Sequence, residues 1–250
     1  MSINNHQIQT IAFDADDTLW RNEDIFINAQ SDFISLLLPY HDEAYVRSHL
    51  AAVQIKNLEH FGYGIKGFTL SMIETAIELT EGRITGTEIH QIIELAKRML
   101  ASPVELLPGI KKVLSELKGQ FNLFVITKGD LLDQESKLAR SGIADYFDAI
   151  EIVSDKNSEA YEQILKRHQI SADNFLMIGN SLKSDILPVL DLGARAIHVP
   201  YHSTWEHEEV SDETLLQYPQ LISLTNISQL MSWLGLKDHN SITKNDKVVS

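Results

Sequence analysis

Apolar runs and helical patterns alternate along the second half of the chain, after one isolated run near the amino terminus. That first run, Ile8 to Asp14, is rich in β-branched and aromatic residues and predicts a buried strand that ends at an acidic cluster. Four later runs predict further strands: Phe121 to Thr127, Ala149 to Val153, Phe175 to Gly179 and Ala194 to Val199. Helical periodicity separates them, at Ile110 to Lys118, Leu131 to Ser141, Glu159 to His168 and Ser184 to Leu192. Alternating strands and helices predict an α/β fold, a parallel sheet with helices on both faces.

Residues 22–102 interrupt this alternation with helical patterns alone. No run in this region predicts a strand, and four segments have helical periodicity: Ile25 to Leu38, Glu43 to Phe61, Thr69 to Leu79 and Gly86 to Leu100. Gly62, Gly64 and Gly67 predict a loop between the second and third of these helices. We therefore expect an all-helical domain inserted after the first strand.

These patterns divide the chain into three parts. We expect a core domain at residues 8–21 and 103–236, a helical cap at 22–102 joined to it by two linkers, and a tail at 237–250. Pro103 and Pro108 mark the return from the cap to the core. The tail is polar and lacks periodicity, so we expect it to be flexible.

Composition excludes several classes of protein. At 250 residues, with 44% hydrophobic and 22% charged residues, the chain is close to the average of soluble globular proteins. A formal net charge of −14 repels a phosphate backbone, so nucleic-acid binding is not expected. The sequence has no cysteine, which excludes disulfide frameworks, thiolate nucleophiles and cysteine-based zinc sites.

Secretion and membrane insertion are not expected either. The segment Met1 to Gln9 is polar and contains no apolar run ahead of a cleavage site. No apolar stretch approaches the roughly 18 residues that a membrane-spanning helix needs. The expected compartment is the cytoplasm.

Asp14 and Asp16 form the first candidate site, at the end of the first predicted strand. Both carboxylates can turn toward the crevice that lies beyond the carboxyl ends of parallel strands. Two like charges this close need a cation or a shared proton, and Mg²⁺ prefers such oxygen ligands. The alternative is an acidic turn in which Asp16 or Asp17 caps the helix that follows.

Polar residues also follow three later strands. Thr127 precedes a glycine turn, where its hydroxyl and the exposed amides can bind phosphate oxygens. Lys156 can neutralise a phosphoryl group, and Asn180 and Asp185 can supply oxygens to one cation. Each has an ordinary alternative: a plain turn, a solvated lysine, and a helix start capped by a serine.

The four strand ends together resemble the haloacid dehalogenase-like hydrolase superfamily, in its phosphatase branch. Its motifs are Asp-x-Asp-x-Thr/Val, a Thr or Ser, a Lys, and Gly-Asp-x-x-x-x-Asp. The matching positions are Asp14, Asp16 and Thr18, then Thr127, then Lys156, and finally Gly179, Asn180 and Asp185. The resemblance covers residues 8–200 and implies a Rossmann-like core with a helical cap between the first and second motifs.

The resemblance also implies an activity, that of a Mg²⁺-dependent phosphatase acting on a small phosphorylated metabolite. Asp14 would attack phosphorus and form an aspartyl-phosphate, and Asp16 would act first as general acid and then as general base. The implied metal ligands are Asp14, the backbone carbonyl of Asp16, Asn180 and, through a water molecule, Asp185. The implied phosphate-binding groups are the Thr127 hydroxyl, the Lys128 amide and the Lys156 ammonium.

Asn180 departs from the family pattern, which has an aspartate at this position. An uncharged oxygen attracts a cation less strongly than a carboxylate, so one alternative is a catalytically weak phosphate-binding or regulatory protein. A haloacid dehalogenase is another, but the superfamily's dehalogenases lack the carboxylate of Asp16, because expelling a halide requires no proton. The sequence chooses neither a particular substrate nor an oligomeric state.

Two further segments are candidates for contact with the crevice. His198 to Glu209 contains three histidines and three glutamates, but its spacing matches no two-histidine helix motif and Pro200 breaks its regularity. We expect a surface loop with Trp205 packed on the core, although such a loop could border the crevice. Tyr63 and Lys66 are candidates for substrate contact, because the loops of a cap can select the leaving group.

Overall fold

A six-stranded sheet lies at the centre of the computed structural model, which describes residues 7–236; the predicted tail at 237–250 lies outside the described residues. The strands are β1 Thr10–Phe13, β2 Asn122–Lys128, β3 Ala149–Val153, β4 Phe175–Gly179, β5 Arg195–His198 and β6 Ile222–Ser223. Every neighbouring pair is parallel, and the order across the sheet is β3-β2-β1-β4-β5-β6. The predicted α/β fold with a Rossmann-like parallel sheet is confirmed.

β1 occupies the middle of the sheet. Thr10 lies opposite Asn122 of β2 on one side and opposite Phe175 of β4 on the other. All four residues of β1 are buried, as expected for a parallel strand covered on both faces. The strand order changes direction at β1, and ligands of such sheets bind at this point, outside the carboxyl ends of the strands.

Four helices follow β1 before the chain returns to the sheet: α1 Glu23–Leu37, α2 Glu43–Phe61, α3 Ile65–Leu79 and α4 Gly86–Ala101. We call α1–α4 the helical insert. The insert buries its own apolar cluster, which includes Phe33, Leu50, Met72 and Ile92. The expectation of an all-helical segment after the first strand is confirmed.

The remaining helices are α5 Ile110–Leu117, α6 Leu131–Ser141, α7 Ser158–Arg167, α8 Leu187–Asp191, α9 Asp212–Leu215 and α10 Gln229–Trp233. The apolar residues of α5, α6 and α10 pack with Ile11 and Phe13 of β1. The apolar residues of α7 and α8 pack with Ala12, on the opposite face of the sheet. Alternate residues of β1 thus face different helical layers. No helix within residues 7–236 has both the length and the apolar character needed to cross a bilayer.

The third helix and its preceding loop differ from the prediction. α3 begins at Ile65 rather than at Thr69, and Gly67 belongs to the helix instead of the loop. Gly64 precedes the helix at a φ of 109°, a conformation that favours glycine. A Cβ atom at Gly67 would lie 2.7 Å from the Gly62 carbonyl oxygen, so glycine allows this turn to pack closely on the end of α2.

The helix predicted at Ser184 to Leu192 is divided in the structure. A π-helical turn at Leu182–Ile186 precedes α8, because Pro188 has no N–H to donate to the Ser184 carbonyl. The Tyr161 hydroxyl donates to that carbonyl instead, at 3.1 Å. β6, α9 and α10 were not predicted, since segments of two to five residues show no period.

Candidate active site

Four neighbouring strands deliver the predicted site residues to one edge of the sheet. Asp14 directly follows β1, Thr127 and Lys128 end β2, Lys156 lies three residues beyond β3, and Asn180 directly follows β4. These residues, together with Asp16 and Asp185, line a single cavity of about 430 Å³ between the sheet and the helical insert. The structure therefore brings all seven predicted site residues together.

Lys156 lies between two carboxylates at the bottom of this cavity. Its Nζ donates to Asp14 Oδ1 at 2.5 Å and to Asp185 Oδ1 at 2.8 Å, and the lysine is only 3% exposed. Burial lowers the pKa of Lys156, but the two carboxylates outweigh burial and raise this pKa above its usual range. A charged ammonium is thus fixed beside the predicted nucleophile, where it can meet a phosphoryl group.

Asp14 is buried, and its surroundings shift the pKa of its carboxyl group in both directions. Burial raises the pKa of Asp14 above its usual range, the charge of Asp185 adds to this effect, and Lys156 opposes it. The backbone N–H of Asp14 donates to the Ile178 carbonyl of β4 at 2.8 Å, which fixes the start of the turn. A carboxylate held this rigidly at a strand end is suited to in-line attack.

Three oxygens converge beside Asp14. With the Asn180 amide in one orientation, its Oδ1 lies 3.1 Å from the Asp16 carbonyl oxygen and 3.2 Å from Asp14 Oδ2; in the other, its nitrogen donates to both. A carboxylate, a backbone carbonyl and an amide oxygen are a donor set that a hard cation such as Mg²⁺ accepts. The residues present therefore fit the implied ion.

Asp185 is occupied by protein partners. Besides accepting from Lys156, it accepts from the Ser181 N–H at 3.0 Å through Oδ2. No group of three or more His, Cys, Asp or Glu side chains within residues 7–236 is arranged to hold a metal. The three oxygens beside Asp14 are a set of another kind, since they include an amide oxygen and a backbone carbonyl oxygen. Metal binding by Asp185 through a water molecule stays a prediction.

Asp16 and the adjacent Asp17 have different partners. The Asp17 carboxylate accepts from the backbone N–H groups of Asn22 and Glu23 at 2.8 to 3.1 Å, at the start of α1. Burial raises the pKa of Asp17 to about 7, although these two hydrogen bonds lower it. The helix-capping alternative thus describes Asp17. Asp16 lines the cavity.

Three side chains that the sequence did not single out bind the Asp16 carboxylate. Trp20 Nε1 donates at 2.7 Å, Gln134 Nε2 at 2.8 Å, and Lys137 Nζ at 2.8 and 2.9 Å. Burial lowers the pKa of Lys137, but Asp16 and Asp133 outweigh it and raise this pKa. One signal was present: Gln134 and Lys137 occupy the same helical face as the buried Leu138, where polar residues are unexpected.

Lys128 contributes its side chain to a second polar cluster, also unpredicted. Its Nζ donates to Glu208 Oε1 at 2.5 Å and to Ser184 Oγ at 2.8 Å, and it lies 3.9 Å from the centre of the Tyr63 ring. Ser181 also donates to Glu208, at 2.6 Å. Burial raises the pKa of Glu208, but Lys128 and the serine hydroxyls outweigh it and lower this pKa to about 2.

The loop at residues 198–209 differs from the expected surface loop. Glu208 is buried, and Trp205 lies edge-on to Tyr63 of the helical insert, with ring centres 6.2 Å apart, rather than on the core. Trp205 and Tyr63 both line the cavity. Lys66 pairs with Asp130 at 2.9 Å and is absent from the cavity lining. The ion pair between Glu208 and Lys128 joins this loop to the end of β2.

Comparison with known proteins identifies the family. The haloacid dehalogenase-like hydrolase profile matches residues 8–193. A crystal structure of a haloacid dehalogenase-like family hydrolase from Xanthomonas campestris superposes with a TM-score of 0.80 at 41% identity, over 92% of this chain and 90% of that one.

Three curated relatives are more distant. Glyceraldehyde 3-phosphate phosphatase from Methanocaldococcus jannaschii is 27% identical over 87% of this chain and 96% of its own length. The protein of that name from Pyrococcus furiosus is 25% identical, but the match spans only 47% of this chain and 53% of that protein. N-acylneuraminate-9-phosphatase from Rattus norvegicus is 25% identical over 76% of this chain and 81% of its own. The chain belongs to the haloacid dehalogenase-like hydrolases.

Proposed function

We propose that this chain is a Mg²⁺-dependent phosphatase that hydrolyses a small phosphorylated metabolite through Asp14. The observation that carries the proposal is the buried ammonium of Lys156, held 2.5 Å from Asp14 and 2.8 Å from Asp185. A fixed cation beside a buried carboxylate suits the transfer of a dianionic phosphoryl group to that carboxylate. The relatives compared above are named as phosphatases, which supports the same activity.

The first step is phosphoryl transfer to Asp14. A carboxylate oxygen of Asp14 attacks phosphorus in line, so a bond from Asp14 to phosphorus forms while the bond from phosphorus to the ester oxygen breaks. The Lys156 ammonium, the Thr127 hydroxyl and the Lys128 amide hold the equatorial oxygens, where charge accumulates. Asp16 donates a proton to the departing ester oxygen, which leaves as an alcohol.

The second step is hydrolysis of the aspartyl-phosphate. Asp16, now a carboxylate, removes a proton from the attacking water, whose oxygen bonds to phosphorus while the acyl-phosphate bond breaks. Asp14 returns as a carboxylate, inorganic phosphate leaves, and Asp16 holds the proton needed for the next cycle.

Asp14, the Asp16 carbonyl and Asn180 are the groups that would hold Mg²⁺, with Asp185 through a water molecule. When bound, the ion supplies Lewis-acid stabilisation of the phosphoryl oxygens and offsets the repulsion between Asp14 and the substrate. Asn180 is uncharged, so the protein contributes less negative charge to this site than a second aspartate would.

The helical insert is proposed to act as a cap over the cavity. The proposal keeps the boundaries predicted from the sequence, with a core at 8–21 and 103–236 and a cap at 22–102. Tyr63, which lies over Lys128, brings the insert to the phosphate end of the cavity. A cap of this kind excludes water and selects the leaving group.

A catalytically weak phosphate-binding protein is the second candidate, favoured by Asn180 alone. A dehalogenase is less well supported, because Asp16 occupies the position of a proton donor that halide departure does not use.

Hydrolysis of p-nitrophenyl phosphate over a range of Mg²⁺ concentrations, with EDTA and the Asp14→Asn variant as blanks, tests the proposal. Mg²⁺-dependent turnover that the variant lacks is the expected result. Turnover that persists in Asp14→Asn contradicts the mechanism, and its absence at every Mg²⁺ concentration favours the phosphate-binding alternative. A screen of phosphorylated sugars, nucleotides and organic acids then finds the substrate.

A further inference from the structure

The Asp16 carboxylate is bound more completely than a surface turn requires. Trp20, Gln134 and Lys137 donate four hydrogen bonds to its two oxygens, all between 2.7 and 2.9 Å. Two of these donors, Gln134 and Lys137, come from α6, which follows the β2 strand end. The carboxylate is therefore fixed in both position and rotation.

Lys137 reaches Asp16 at an energetic cost. The lysine is 8% exposed, and an ammonium taken out of water is unfavourable unless its partners compensate for lost hydration. Asn22 Oδ1 at 3.1 Å and Asp133 at 3.6 Å are its other partners, at the edge of the same cavity. A lysine placed only for helix stability would point its charge to solvent.

Gln134 is also held beside Asp16 in an energetically unfavourable setting. It is buried, and its Nε2 donates to Asp16 and, at 3.2 Å, to the Lys128 carbonyl. Its Oε1 is buried and has no partner among residues 7–236. Leaving a buried acceptor unpaired is unfavourable, so the orientation of Gln134 is determined by the hydrogen bonds that its Nε2 donates.

We propose that Lys137 and Gln134 are positioning residues, which hold the Asp16 carboxyl group where it exchanges a proton with the leaving-group oxygen. The proposal rests on the phosphatase function given above. Neither residue transfers the proton itself. The proton moves from Asp16 to the ester oxygen as the bond from phosphorus to that oxygen breaks. Loss of either residue therefore slows hydrolysis most for the substrates whose leaving group most needs a proton.

Phenyl phosphate and p-nitrophenyl phosphate form a matched pair of probes for this role. Their leaving groups have nearly the same shape, but phenoxide is the stronger base and depends more on proton donation. In Lys137→Met, we expect kcat/KM for phenyl phosphate to fall about tenfold more than kcat/KM for p-nitrophenyl phosphate, because this ratio reports the step that releases the alcohol, whereas hydrolysis of the aspartyl-phosphate is common to both substrates. Gln134→Met is expected to give the same selective loss to a smaller degree.

Lys118→Met is the control, because it removes a lysine paired with Asp148, away from the cavity lining. It is expected to leave both rates unchanged. Equal loss on the two substrates in Lys137→Met and Gln134→Met, or a gain on phenyl phosphate, overturns the positioning role. If Lys137→Met fails to fold, as judged by its melting temperature, Gln134→Met decides the question alone. A wild-type protein inactive on both substrates instead refutes the phosphatase function, and the positioning role with it.

Discussion

Gly179 and Asp185 touch so closely that no other residue fits at position 179. A Cβ atom built on Gly179 would overlap the Asp185 carboxylate, which is bound to Lys156 and to the Ser181 N–H. Because Gly179 has no side chain, the Asp185 carboxylate can lie against the end of β4 and still accept from the Lys156 ammonium. The glycine therefore serves the geometry of the charged site.

Gly179→Ala is predicted to displace Asp185 and weaken its pairing with Lys156. Overpacking of this kind costs about 1 to 3 kcal/mol, and phosphatase activity should fall together with stability. Chemical denaturation and steady-state kinetics measure the two effects. Gly86→Ala is the matched control: a Cβ at Gly86 meets nothing within 4 Å, and alanine in this helical turn should be neutral or slightly stabilising. Equal behaviour of the two variants would contradict the steric account.

Asn180→Asp is predicted to tighten the binding of Mg²⁺. A carboxylate oxygen about 3 Å from Asp14 would attract the cation more strongly than the amide oxygen does. A gain of about 1.4 kcal/mol in the free energy of binding lowers the half-saturating Mg²⁺ concentration tenfold. In EDTA the same substitution should lower the melting temperature, because two carboxylates then repel each other. Asn226→Asp, at an exposed position, controls for the added charge. An unchanged Mg²⁺ dependence would remove Asn180 from the metal site.

Asp16→Asn is predicted to separate the two chemical steps. Nitrophenoxide departs readily without a proton, so the variant should release about one equivalent of nitrophenol per enzyme from p-nitrophenyl phosphate. Turnover then stops, because asparagine cannot remove a proton from the water that hydrolyses the aspartyl-phosphate. Rapid-mixing absorbance measures this burst, and Asp14→Asn should show none. Steady turnover of alkyl phosphates by Asp16→Asn at the wild-type rate would refute the acid–base role.

Glu208 is predicted to make stability depend on pH in acid. Its pKa is lowered to about 2 in the folded protein from an ordinary value of 4.5, so folding favours the carboxylate. The stabilisation, on the order of 3 kcal/mol, is fully present above about pH 4.5 and is lost as pH falls through about 2. The difference in unfolding free energy between wild type and Glu208→Gln should therefore shrink over this range. A difference independent of pH would mean that Glu208 acts through packing alone.

The cavity predicts a preference for substrates with a bulky alcohol. It follows α1 for two turns, from Glu23 past Phe26 to Gln30, a distance of about 10 Å, and Phe68 forms part of its apolar wall. Nucleoside monophosphates should therefore have lower KM values than three-carbon phosphates. Phe68→Ala should raise the KM of the larger substrates, whereas Ile77→Ala, exposed on the same helix, should not. A uniformly lower KM for the small substrates would contradict this use of the cavity.

Much of the fold follows from local patterns, and some helix and strand bounds agree with the prediction to the residue. β3, β4, α2 and α6 are examples. Their apolar residues recur at the spacing of a strand or a helix, and turn or capping residues stand at their ends, as Asp130 does for α6. β6 has two residues and lies at the sheet edge, so only its pairing with β5 defines it. Tertiary pairing of that kind leaves no period in the sequence.

The candidate site was accessible to prediction only where strand ends determine it. Asp14, Thr127 and Asn180 meet because parallel strands end at one edge. Lys137 meets Asp16 by a different route, through a long side chain that crosses from α6 to a turn 121 residues earlier. Its place on the buried face of α6 is visible in the sequence, but nothing in the spacing reveals which carboxylate it reaches. Glu208 is similar, since its burial depends on Lys128, 80 residues away.

The central place of β1 has a consequence for synthesis on the ribosome. Of the strands in residues 7–236, β1 is translated first, yet its neighbours begin at Asn122 and Phe175. Until both have left the exit tunnel, β1 has no partner on at least one side. Chains that end before β4 therefore lack Asn180 and Asp185, and the charged site is complete only after residues far along the chain from Asp14 have been made.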